Sequence, residues 1–351
     1  MSGIGKMKPT KKVYYSCLNL HTYMKSLLDN PPEGYEFILN ENKSKSKLVK
    51  KAKNNRLTRF IYKSLIKKTF NVLDFANNLS YQKSPEEADL ILTTGQIVNE
   101  KKPWIVKILD SPFILGANDY KIFMKNKKSI EDSLASKYCK KIIVHTTIAE
   151  KMMRKYFSKE VTDKVEILTP AMPTKIEEKI KHSNTFNLLF IGSINNPHEF
   201  AMKGGIQVIK TFKELKKKYP NVNLTIKCKV PNDVKKEYDL SDITLIEDII
   251  PFEDVKKLYK ESDLLLMLGY GGYMIMAYLE AFSYGLPIIA LDTFGVSDFI
   301  IDGKTGFKIK PSKNVPVNNP AYPSISNTDK FLETTKIEDK ELTDNCVNKI
   351  S

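Results

Sequence analysis

Two parallel α/β domains are the architecture that this sequence predicts, on three observations. Short apolar runs alternate with helix-period segments through the first half, a charged stretch without an apolar stripe interrupts them, and the same alternation then begins again. Length agrees with this division. At 351 residues and 42% hydrophobic content the chain exceeds what a single core usually serves.

In chain order, residues 13–17, 90–94, 104–109, 141–145 and 165–168 read as strands, most with helical stretches between them. Residues 131–155 read as helix, strand and helix, the last capped by Thr146 or Thr147, whose hydroxyl accepts from first-turn N–H groups. Residues 175–184 are charged and polar and follow Pro170-Ala171-Met172-Pro173; they form the linker between an N-terminal domain, 1–174, and a C-terminal domain, 185–328. The second domain opens with a strand at 186–191, Gly192, and a helix at 206–218 whose Val208, Phe212, Leu215 and Tyr219 share one face. Strands at 222–227 and 243–245 follow. Within 262–306, two apolar runs at 264–268 and 287–291 enclose a Gly-rich turn and a helix ending near Gly285, which makes a strand, loop, helix, strand unit. Residues 314–327 read as a loop. Residues 329–351 read as a helical segment.

Composition excludes several classes. No run of about 18 apolar residues is present, and the N-terminus is polar and lysine-rich, unlike a signal peptide, so a cytoplasmic protein, or one peripheral on the inner membrane face, is expected. Cys17, Cys139, Cys228 and Cys346 are widely separated, and only four histidines accompany them, so reduced thiols are expected rather than a disulfide framework or zinc. The net charge of +15 is carried almost entirely by lysine and favours anionic partners without choosing among them. Arg56, Arg59 and Arg154 are the only arginines, so sequence-specific nucleic-acid reading, which relies on the planar guanidinium fork, is not expected. Biased codon usage gives the same lysine excess with no functional cause.

In parallel sheets, ligands sit outside the carboxyl ends of the strands. Gly192 and Ser193 end one such strand. Lys203 precedes Gly204-Gly205 at a helix start, where a point charge and a helix dipole act together on a diphosphate; the alternative is a solvated lysine in a turn. Gly269, Gly271 and Gly272, followed by Tyr273 and Met274, offer backbone N–H groups to a phosphate. Glu280 presents acceptor oxygens with no donor beside them, or else a solvated helix face.

Taken in order and spacing, Glu280-Ala281, Gly285-Leu286-Pro287, Phe294-Gly295 and Asp302-Gly303-Lys304-Thr305-Gly306 resemble the donor-binding segment of GT-B retaining glycosyltransferases, family 4 in particular. The likeness is good from 186 to 310 and only architectural before that. It implies two Rossmann-like domains facing across a cleft, a last helical segment, here 329–351, packing back on the N-terminal domain, and transfer of a sugar, with retention, from a nucleotide-diphosphate donor to a hydroxyl acceptor. It implies no required cofactor and no metal, in keeping with the absence of a D-x-D motif. Lys203 would contact the diphosphate and Glu280 the ribose. Two departures stand out: Ser193 replaces the family's arginine, and Gly272 occupies the place of the first acid of the E-x7-E motif. They imply an unusual donor pocket or lowered activity.

On the acceptor side, Asp110 follows the strand at 104–109, where the family often carries a histidine or acid. It either takes a proton from the attacking hydroxyl, given a pKa raised by burial, or caps the next segment. His21 and His145 are the other acceptor-side candidates, the latter with a core hydrogen-bond role as its alternative. Residues 55–69 are amphipathic, with Arg56, Arg59, Lys63 and Lys67 on one face and Leu57, Ile61 and Leu65 on another. That face either lies on acidic lipid headgroups, which suits a lipid-linked or glycan acceptor, or points to water from a helix covering the sheet. Rival readings are a catalytically weakened GT-B protein that binds nucleotide or partners, and a basic membrane or nucleic-acid binding module.

Overall fold

Continuous apolar runs mark strands buried on both faces, as parallel sheets require, and they build one sheet in each half of the chain. The computed structural model describes residues 10–16, 22–39, 83–109, 111–116, 120–170, 180, 184–194, 197–270, 275–293, 295–313 and 340–351. The chain divides into two units, Met1–Pro170 and Ala171–Ser351.

In the first unit, β1 (Lys11–Ser16), β2 (Tyr35–Leu39), β3 (Leu90–Thr94), β4 (Trp104–Ile108), β5 (Cys139–Val144) and β6 (Val165–Ile167) form a sheet ordered β2-β1-β3-β4-β5-β6. Every pairing is parallel. Helices α1 (Thr22–Asp29), α2 (Tyr120–Ala135), α3 (Thr147–Tyr156) and α4 (Lys159–Thr162) accompany it. Val106, Ile108, Phe123, Ile142, Val144 and Met153 belong to the larger core, while Val13, Tyr15, Met24 and Leu92 form a smaller one. Phe113, Phe123 and Tyr156 lock the larger core edge to face at 5.2–5.5 Å. Thr146 is the cap of α3, its Oγ1 accepting from the Ala149 N–H at 3.2 Å.

In the second unit, β7 (Phe186–Ile191), β8 (Val222–Lys227), β9 (Ile243–Leu245), β10 (Leu264–Met267), β11 (Ile288–Leu291) and β12 (Gly306–Ile309) form a parallel sheet ordered β12-β11-β10-β7-β8-β9. Helices α5 (Pro197–Met202), α6 (Gly205–Lys218), α7 (Asn232–Glu237), α8 (Phe252–Glu261), α9 (Ile275–Ser283) and α10 (Lys340–Ile350) accompany it. Within 329–351 the described helix is α10, and it packs on α6 and β12 of the second unit. Its Leu342, Cys346 and Val347 recur on one face and complete the second core. Of the linker proposed at 175–184, only residues 180 and 184 are described.

Both sheets have a point where neighbouring strands carry the chain away in opposite directions, between β1 and β3 in one and between β7 and β10 in the other. Crevices at such points are where parallel α/β sheets bind ligands. No helix among the described residues is long and apolar enough to cross a membrane.

Candidate functional site

The β7–β10 switch point gathers the clearest constellation. Gly192 follows β7, and its N–H donates to the Lys227 carbonyl at 3.2 Å. α5 then leads to Lys203, whose ammonium donates to the Ser193 carbonyl at 2.6 Å. The lysine stem lies over Gly192: a Cβ at that glycine would stand 3.3 Å from Lys203 Cδ. The missing side chain at 192 is therefore the groove that carries Lys203 across the strand end. Burial lowers the Lys203 pKa below its ordinary 10.5, opposed by Glu199 and Cys228. The Cys228 thiol is buried in turn and pushed up to about 12, which keeps it neutral.

Gly204 caps α6 at φ 82, a left-handed conformation that glycine adopts without cost. A Cβ there would stand 2.0 Å from the Leu268 carbonyl oxygen, so the start of α6 abuts the backbone leaving β10. Two further bonds fix this backbone. Tyr270 donates its N–H to the Met202 carbonyl at 2.8 Å, and Thr293 Oγ1 donates to the Gly269 carbonyl at 3.1 Å. First-turn N–H groups of a helix lack intrahelical partners, and they carry the positive end of the dipole. Strand end, lysine and helix start together make a surface suited to a phosphate or diphosphate.

Glu280 sits half-buried on α9, one carboxylate oxygen accepting from the Tyr259 hydroxyl at 2.8 Å. Burial raises its pKa above the ordinary 4.5, while the tyrosine bond pulls it down. Gly271, Gly272, Tyr273 and Met274, immediately before α9, lie outside the described residues, as do His21, Asp110, Arg56, Arg59, Lys63 and Lys67.

In the first unit, the carboxyl edge is polar and closely packed. Ser16 donates to Gln96 Oε1 at 2.9 Å, and Thr93 Oγ1 donates to the Gln96 carbonyl at 2.8 Å. Lys107, 7% exposed, donates to the Met24 thioether at 2.9 Å. His145 follows β5 at 4% exposure, its backbone N–H donating to the Leu109 carbonyl at 3.4 Å. Burial, then the Lys107 charge, push its pKa from 6.5 down to about 4. A histidine so depressed is neutral at pH 7 and a weaker base than an exposed one.

The depressed pKa has a stability consequence. Between the two values the unfolded chain binds the proton and the folded chain does not, so the contribution of His145 is fully present above pH 6.5 and is lost as pH falls towards 4. The shift corresponds to about 3 kcal/mol at most. Chemical denaturation from pH 7 to pH 4 should show the first unit weakening over this window, and His145→Gln should flatten that part of the profile.

Sequence reasoning missed Tyr259, Gln96, Lys107 and the Leu268 backbone as parts of these constellations. Tyr259 lies in an amphipathic helix where an aromatic residue gives no local signal beyond burial. A Lys inside the apolar run of β4 was the one visible anomaly.

Residues 172–316, which include the whole β7–β12 sheet, match the protein-family profile of Glycosyl transferases group 1. Over 176 residues, 44% of this chain and 49% of the relative, the sequence is 27% identical to an uncharacterized glycosyltransferase of Haemophilus influenzae. Over 157 residues, 42% of this chain and 36% of the relative, it is 23% identical to the D-inositol 3-phosphate glycosyltransferase of an Arthrobacter species. The chain thus spans about half or less of the curated relatives it matches. A crystal structure of Anabaena HepE in complex with UDP and glucose aligns over 97% of this chain and 94% of that one, with a TM-score of 0.52 at 12% identity. That likeness is one of fold: two Rossmann-like α/β units of the GT-B class.

Proposed function

We propose that the protein is a glycosyltransferase that binds a nucleotide-sugar donor on its second unit and transfers the sugar to a hydroxyl acceptor, with retention and without an obligatory metal. The observation that carries this reading is Lys203, laid over Gly192 at the start of α6, inside the segment that matches the group 1 profile. As the sugar leaves, negative charge accumulates on the diphosphate. A preorganised ammonium and helix N–H groups stabilise that charge without reorganising at the moment of reaction. The Glu280 carboxylate accepts from the ribose hydroxyls, a role for which an acceptor-only group is suited. The acceptor enters from the first unit, and a lipid-linked or glycan acceptor at an acidic membrane surface would suit the basic face of Arg56, Arg59, Lys63 and Lys67.

A thermal-shift screen with UDP, GDP, ADP and dTDP, and with their sugars, tests the reading. A ligand at a hundred times its Kd stabilises by about 2.7 kcal/mol, so one nucleotide series should raise the melting temperature and its sugar should appear on an acceptor or in water. No shift with any of the four would reject it. Glu280→Gln should weaken the responding nucleoside diphosphate by about 1.5 kcal/mol and leave pyrophosphate binding unchanged; equal losses for both would place Glu280 in loop support instead.

Gly272 and Ser193 favour a second reading, nucleotide binding with little transfer, because they withdraw an acid and an arginine from the donor pocket. Calorimetry separates the two. A preference of about tenfold, near 1.4 kcal/mol, for one nucleotide sugar over its diphosphate supports the transferase, whereas equal affinity with no product supports the second reading.

A further inference from the structure

We infer that Tyr259 is a positioning residue for Glu280: its hydroxyl fixes one carboxylate oxygen and leaves the other to the ribose of the donor. The inference rests on the donor reading above and adds to it a residue from another helix. Tyr259 stands on α8 at 1% exposure. Its ring stacks on that of Tyr284 with centroids 5.5 Å apart and planes 3° from parallel, so the phenol has little freedom to turn. From this fixed ring the hydroxyl donates to Glu280 Oε2 at 2.8 Å. An ionised carboxylate has acceptor sites only, on two oxygens, so the tyrosine must be the donor and occupies one oxygen of the pair. Among the described residues no bond is made by Oε1.

A glutamate has three side-chain torsions to order when it binds a ligand, and ordering them weakens binding. The bond from an immobile phenol orders them beforehand. It also favours the ionised form. Burial pushes the Glu280 carboxyl up, and the Tyr259 bond opposes that push; Tyr284 stands behind Tyr259 and acts on its phenol rather than on the carboxylate.

The test is a double-mutant cycle of Tyr259→Phe and Glu280→Gln, read by calorimetry with whichever of UDP, GDP, ADP or dTDP binds the wild type, and with pyrophosphate. Phenylalanine keeps the ring and its stack on Tyr284, so the fold is retained and melting temperature checks it. Tyr259→Phe should weaken the nucleoside diphosphate by about three- to tenfold, leave pyrophosphate unchanged, and cause no further loss when Glu280 is already Gln. In Tyr259→Phe the affinity should also fall at a higher pH than in the wild type, because the carboxylate has lost the bond that held its pKa down. Wild-type affinity in Tyr259→Phe, an equal loss of pyrophosphate, or the same loss repeated in the Glu280→Gln background would overturn the inference and leave the donor reading standing. Unchanged affinity in Glu280→Gln alone would instead remove Glu280 from the ribose, and this inference with it.

Discussion

Replacing Gly204 with alanine is expected to destabilise the second unit by about 3 kcal/mol and to abolish ligand binding at the β7–β10 crevice. Two costs add. Alanine at φ 82 pays about 1–2 kcal/mol for a left-handed backbone. Its Cβ also falls 2.0 Å from the Leu268 oxygen, an overlap with backbone that no rotamer relieves, and overpacking of this kind costs about 1–3 kcal/mol. Relief requires α6 to move away from β10, which separates the helix start from the strand ends that it serves. Gly285→Ala is the control, since it has φ 62 and open space around its Cβ. It should cost only about 1 kcal/mol and leave binding intact. Chemical denaturation with calorimetry on both variants decides, and equal costs would show that the close approach of α6 to Leu268 is not tight.

The reasons why some of this was legible in the sequence and some was not are physical. The central strands β7, β10 and β11 announce themselves because burial on both faces demands continuous apolar residues, as in Leu264–Met267 and Ile288–Leu291. β2 and β12 are edge strands. Edge position alone does not explain why Tyr35–Leu39 and Gly306–Ile309 are missing from the sequence reading, because β6 and β9 are partly buried edge strands too and are read as strands from the sequence. The apolar stripe of α10 says that one face is covered, but a stripe does not name its partner, and the partner is the second core. The site divides in the same way. Lys203-Gly204-Gly205 and Glu280 carry local signals, a basic residue at a helix start and an acid at a known spacing. The Leu268 carbonyl against Gly204 and the Tyr259 hydroxyl on Glu280, 21 residues apart, are contacts that exist only once the sheet order places their elements side by side. The fixed position of Lys203 likewise depends on what Gly192 lacks, which becomes meaningful only with the lysine stem lying over it.

Lys203→Ala should weaken binding of the responding nucleoside diphosphate by about 1.5–3 kcal/mol, the range of a hydrogen bond to a charged group, or roughly 10- to 150-fold. Stability should barely change. The stem lies along a strand end, the ammonium is satisfied by one carbonyl at 2.6 Å, and its removal opens a surface groove rather than a core cavity. Partial burial is also why the effect on binding is large. Burial has already lowered the pKa of Lys203, so much of the cost of stripping water from the ammonium is met in the folded protein before any anion arrives. The expected pH dependence follows from the same shift. Affinity should decline as pH rises through the lowered pKa of Lys203, and Lys203→Ala should lose that decline. Pyrophosphate supplies the decisive comparison: a lysine acting on the diphosphate must lose affinity for pyrophosphate and nucleoside diphosphate alike, whereas Glu280→Gln spares pyrophosphate. Unchanged affinity for both ligands in Lys203→Ala would move the anion site away from the start of α6.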